Sequence, residues 1–253
     1  MNEQLRFADS GEAADLAAFL GRLVHYDRAA AVRLQALGGA VGVFGRPPSF
    51  EVLAIRTVRL AAPVAAPLDL TVSAGELLES VDEASAAATV PGPVTGPPWT
   101  GVLPPRGGWR QLPGLPGPRA MGEAVAAAVA EFRARDEALP AQHRTRSERD
   151  RIGREIWSRT LGDTELPLRA VHAAQSLGFL RPVRAAVPAS SAPASGALAS
   201  SAPASGAPAS AAPDSVALLA AGSWLRLRTP YGSVATRRPG VTGGLGALTV
   251  RPV

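Results

Sequence analysis

The first 87 residues change hydrophobic period several times, and each change predicts an element. Residues 4–8 read as a short strand. Asp9, with Glu12 three residues on, opens a helix, because Ala13, Leu16, Phe19, Leu20 and Leu23 recur at the spacing that places them on one face. Period two takes over at 31–37, where Val32, Leu34 and Ala36 point one way and Arg33 and Gln35 the other. Gly38 and Gly39 then form a hairpin turn into a second strand at 40–44. Residues 50–60 are β-rich with broken alternation, as expected of a bulge or of burial on both faces, and 68–72 alternate again. Ser73 and Glu76 make a capping box for a helix expected to reach about residue 86, with Leu77, Leu78 and Val81 on its apolar side.

Periodicity disappears over 88–118, where nine Pro and seven Gly exclude a helix or a central strand. This irregular loop carries Trp99 and Trp109, whose large apolar rings either cover the body or anchor a partner. Helical spacing returns at 120–138, with Met121, Val125, Ala128, Val129 and Phe132 on one side. A second helix at 146–161 interleaves Arg with Glu and Asp around Ile152, Ile156 and Trp157, and a third at 167–177 presents Leu168, Val171 and Leu177 before Gly178. Residues 185–215 are low in complexity: SSAPASGALA at 190–199 recurs as SSAPASGAPA at 200–209, a tract with nothing to bury and therefore a disordered tether. Beyond it, 223–237 reads as two strands about the turn at 229–232, with Leu225 and Leu227 on one face and Trp224, Arg226 and Arg228 on the other. A lone hairpin is marginal in water, so it is expected to dock back onto the body.

These elements predict an α+β chain: a small antiparallel meander sheet with flanking helices, a helical segment, and a C-terminal β-hairpin after a disordered linker. The expected divisions are an α+β domain at 1–87, a Pro/Gly-rich loop at 88–118, a helical segment at 119–184, an Ala/Ser/Pro linker at 185–215 and a short basic β element at 216–253. The segments LRF, VRLQALGGAVGVF, FEVLAIRTVRL and LDLTVSAGELLESV, in the order strand, helix, meander, then extended segment into capped helix, resemble one domain of the DNA sliding-clamp fold. The resemblance covers about a third of the chain, is carried by the arrangement of elements, and implies a clamp-like fold and no activity. No second or third copy of the unit is readable in the sequence.

Composition narrows the chemistry. All 26 basic side chains among the 253 residues are Arg, and Cys is absent. The chain therefore has no lysine for a Walker loop or a Schiff base, and no thiol nucleophile, disulfide or Cys-ligated metal. Scarce Ile and Asn beside abundant Ala, Gly, Pro, Val and Arg match a GC-rich bacterial genome. The start lacks a basic, then apolar, leader pattern and no stretch is apolar enough to span a bilayer, which predicts a cytoplasmic protein without a membrane partner.

Three His residues, His25, His143 and His172, show no metal-ligand spacing and no catalytic elbow is present, so no metal, cofactor or catalytic residue is expected. The charge is lopsided: residues 166–253 hold eight Arg against Asp214 alone, while 1–165 hold 18 Arg against 20 acids. Guanidinium forks without nearby anions suit phosphate, which nominates Arg169, Arg181, Arg226, Arg228, Arg237 and Arg238 as nucleic-acid contacts. The helix at 167–177 and the hairpin would supply the reading helix and wing of a winged helix. The expected function is non-catalytic binding or regulation, with DNA or another polyanion as partner. The alternative is a protein-interaction scaffold that uses Trp99 and Trp109 and has no nucleic-acid role.

Overall fold

The computed structural model describes residues 3–181 and 216–238; the linker expected at 185–215 and the end of the basic element, 239–253, lie outside the described residues. The order is β1 (Gln4–Arg6), α1 (Ser10–Tyr26), β2 (Ala31–Leu37), β3 (Ala40–Gly45), β4 (Leu53–Arg59), β5 (Leu68–Ser73), α2 (Ala74–Ser80), β6 (Val81–Asp82) and β7 (Ala87–Thr89). After the Pro/Gly loop come β8 (Arg110–Leu112), α3 (Pro118–Glu137), α4 (Arg146–Trp157) and α5 (Leu168–Ser176), then β9 (Ala217–Ala221), β10 (Trp224–Thr229) and β11 (Gly232–Arg237). Helices and antiparallel sheets make this an α+β fold.

Local chemistry sets the boundaries. The Asp9 side chain accepts from the Glu12 amide at 2.9 Å, capping α1. Ser73 caps α2, but that helix stops at Ser80, short of the expected residue 86. There Asp82 turns the chain by accepting from the amides of Ala84 and Ser85, and β7 pairs with β1 through Gln4 and Thr89. The helix expected to reach 161 ends at Trp157, capped at its start by Thr145.

One eight-stranded antiparallel sheet organises the molecule, in the order β5-β2-β3-β4-β11-β10-β9-β8, beside a small sheet ordered β1-β7-β6. The basic hairpin is thus built into the sheet: β11 pairs with β4 through Ser233 and Ile55, Val234 and Ala54, and Ala235 and Leu53. The order also holds two helix-then-meander units, α1 with β2-β3-β4 and α5 with β9-β10-β11, whose last strands meet antiparallel at the centre. No sequence likeness announces this second unit.

The two faces of the sheet have different covers. Val32, Leu34, Val41, Val43, Ala54, Val58, Val72, Leu225, Leu227 and Val234 point to the helices and join Leu16, Phe19, Leu20 and Leu23 of α1, Val171 and Ala174 of α5, and buried residues of α3 and α4 in the main core. Gly45 allows α1 to sit this close, because a Cβ there would lie 2.4 Å from a methyl of Leu23. On the outer face Leu53, Ile55, Trp224 and Ala235 form a second, smaller cluster with Phe44, Trp99, Leu103 and Trp109. Burial on both faces accounts for the broken alternation of β4, whose first four residues are all buried.

Candidate functional site

The Pro/Gly loop becomes a strap over the outer face. It is tied beside β5, where the Val94 amide donates to the Thr71 carbonyl at 2.9 Å, and to β2, where Arg33 donates to the Thr100 carbonyl at 3.2 Å. It ends in β8 on the far edge, paired with β9. The high Pro and Gly content suits this crossing, since a strap lying on a sheet face takes no part in its ladder. The short strand that it does form occupies an edge, the place where such a segment is tolerated. Trp99 and Trp109 both pack half-buried into the smaller cluster, and the Trp109 indole donates to the Pro105 carbonyl at 2.9 Å.

Register sorts the nominated arginines. Arg226 lies opposite Ala235, Arg228 opposite Ser233 and Trp224 opposite Arg237, so all of these share the outer face with Ile55 and Leu53. Arg226 donates to Ser233 Oγ at 2.8 Å and its guanidinium stands 5.7 Å from the Trp109 ring centroid. Burial, and then the charge of Arg228, hold the Arg226 pKa below its ordinary value. Arg237 is exposed, 4.1 Å over the Trp224 ring, and donates to Ser223 Oγ.

The other three sit elsewhere, each against a carboxylate. Arg169 pairs with Glu51 at 3.3 Å, Arg181 with Asp15 while lying 3.7 Å over the Tyr231 ring, and Arg238 with Glu165. The winged-helix arrangement does not form. Helix α5 is packed beneath the sheet with Leu168, Ala170, Val171, Ala173 and Ala174 buried, and the hairpin is flanked by β4 and β9 instead of projecting. His172 is stacked on Trp157 at 4.3 Å, and burial lowers its pKa.

Sequence reasoning missed the cations that complete the outer face. Among the described residues, Arg33, Arg46, Arg106, Arg226, Arg228 and Arg237 line this face or its rim, against Asp69 and Glu51. Asp69 is held by Arg33 at 2.8 Å and by Gln35 at 3.2 Å, and the Arg33 hydrogen bond above all keeps its carboxyl below the usual range. Two clefts of about 360 Å³ open here: one between Trp99, Trp224, Arg46 and Arg237, the other between Phe44, Thr57, Arg106 and Arg226. An Arg-Pro-Pro-Ser loop between two strands was the one readable signal, since loops on a rigid sheet carry binding groups.

On the helix side a different set gathers. Arg56, buried, donates to Glu12 and to the Tyr231 carbonyl, both at 2.9 Å, and lies 3.2 Å from Asp15; Arg59 reaches Glu12 at 2.8 Å. This network ties α1 and β4 to the turn between β10 and β11.

Comparison with known protein families gives a grouping that matches this architecture. Residues 104–241 match the family described as Domain of unknown function (DUF8185), and the chain belongs to it. Residues 1–101 match Domain of unknown function (DUF8010), so the junction of the two falls inside the strap, between Trp99 and Trp109. No curated protein and no solved structure matches. Among the described residues no helix is long and apolar enough to cross a membrane.

Proposed function

We propose that the protein is a non-catalytic binding protein whose strapped sheet face takes a polyanion, single-stranded nucleic acid in the first instance. The observation that carries this reading is the segregation of charge. Arg226, Arg228 and Arg237 share one face with Trp99 and Trp109, while Arg46 and Arg106 add to it and, among the described residues, Asp69 and Glu51 oppose it. Cationic groups that track a backbone, interleaved with rings that accept bases, are the combination that sequence-tolerant single-strand binders use. A duplex is a poorer fit, since among the described residues no helix or projecting ribbon is presented to a groove.

The test is titration of a labelled 20-nucleotide single strand into the full chain at several salt concentrations. Affinity is expected to fall steeply with salt, and Arg106→Gln and Arg237→Gln each to lower the salt slope by about 1. Arg119→Gln on α3 leaves both unchanged. Salt-independent or absent binding overturns the reading. A protein partner is the second reading, favoured by Val94 and Val102, which are 40% and 51% exposed along the strap.

A further inference from the structure

Three clefts converge on the loop between β3 and β4. Troughs of about 750 and 360 Å³ share Arg46, Glu51 and Trp99, and a third of about 420 Å³ shares Ser49 and Glu51. The loop backbone is strained: Ser49 and Glu51 have φ values of 71° and 53°, the left-handed region that favours glycine. Phe50, buried between them, meets Tyr26 at 5.7 Å and His172 at 5.1 Å, edge to face, and holds the loop in this form. Strain persists only where the surroundings over-determine it, and it gathers at ligand sites.

The smaller trough has the composition of a site for a flat anion. Trp99 and Trp224 supply aromatic surface, with Leu53 and Ala235 behind them. Arg237 is already fixed on the Trp224 ring, so it loses little freedom on engaging a ligand. Arg46 has no ion-pair partner among the described residues, and Glu51, the carboxylate beside it, is engaged by Arg169. The volume falls within the range of small-ligand pockets, and the adjoining trough gives a longer ligand room to continue.

We propose that this trough holds one nucleotide unit, its base against Trp99 and its phosphate on Arg46 and Arg237. The assignment rests on the reading of the strapped face as a polyanion surface and names its anchoring subsite. Stacking supplies affinity for any base, and the two guanidinium groups require the phosphate.

Calorimetric titration of the full chain with AMP, adenosine and inorganic phosphate tests it, beside the 20-nucleotide strand. AMP is expected to bind saturably and at least tenfold more tightly than either adenosine or phosphate. Arg46→Gln and Trp99→Leu are each expected to weaken AMP at least tenfold in protein whose circular dichroism is unchanged. AMP competing with the strand places the unit within the strand; AMP binding beside a bound strand without competition overturns the assignment of this trough as the anchoring subsite. No saturable AMP binding, equal binding of AMP and adenosine, or indifference to Arg46→Gln overturns the assignment. If the strand still binds with its salt slope in that case, the polyanion face stands without the subsite. If AMP binds and the strand does not, the subsite stands and the broader face falls.

Discussion

The Phe179 ring occupies the space that a side chain at Gly232 would need: a Cβ there would fall 2.7 Å from two of its ring carbons. Gly232 opens β11 with φ 154°, and Phe179 follows α5 and meets Phe19 of α1 at 5.6 Å. One ring therefore fixes α1, the end of α5 and the hairpin turn together.

Gly232→Ala should destabilise the fold by about 1–3 kcal/mol, because overpacking and an unfavourable backbone angle act in the same direction. Equilibrium urea unfolding measures it. Phe179→Leu in the same chain should recover part of the loss, since the obstruction is the ring itself. A purely additive double variant would show that the two positions are not coupled.

Arg56 makes a second junction, with its buried guanidinium between Glu12 and Asp15 of α1 and the Tyr231 carbonyl. Removing one member of a buried pair leaves the other uncompensated, so Arg56→Met should cost about 3–5 kcal/mol. Arg56→Met with Glu12→Gln should cost clearly less than Arg56→Met alone. Urea midpoints of the two variants decide this, and equal losses would mean that packing, not charge, dominates at this site.

The sequence makes the elements legible wherever one face is dry and the other wet. Alternation in β2 and β10 assigns Arg33, Arg226 and Trp224 to the outer face, and register confirms each. It fails where both faces are covered, as in β4, because the strap that buries Leu53 and Ile55 comes from a Pro/Gly segment with no period of its own. The eight-stranded sheet is hidden for a related reason. The pairing of β4 with β11 joins residues some 180 positions apart, and nothing local in Ala54 or Val234 encodes it. At the candidate site, the charge count points to the right kind of residue but not to its direction. Arg169, Arg181 and Arg238 look like Arg226 in sequence and differ only in the carboxylate that folding brings to them.

The central seam gives a prediction about the boundary between the two matched regions. A fragment of residues 1–101 keeps α1 and the first meander but exposes the edge of β4, with the backbone groups of Leu53 and Ile55 left without β11. An open apolar edge strand recruits another. Sedimentation velocity should show the fragment self-associating at concentrations where the full chain stays a single species, and Ile55→Pro in the fragment, at an amide directed to the edge that β11 occupies, should suppress the association by blocking edge pairing. A monomeric fragment would mean that β4 is protected without β11.

The clasp between α3 and α4 should be acid-sensitive in a defined window. Arg135 donates to both oxygens of Glu155 at 2.8 Å, and Arg159 bonds Glu131. The Arg135 hydrogen bonds, against an opposing cost of burial, and then the charges of Arg135, Arg159 and Arg151, lower the Glu155 carboxyl from an ordinary 4.5 to about 2. The folded state thus binds this proton less readily than the unfolded chain, so the contribution is complete above pH 4.5 and disappears as pH falls towards 2. Since these groups lie at the surface, solvent and salt screen the pair and the effect is modest. The expected result is a melting-temperature gap between the native chain and Glu155→Gln that closes as pH falls from about 4.5 to about 2, and that narrows in 1 M salt at pH 7. A gap that stays constant across that range would assign the difference to packing rather than to the ion pair.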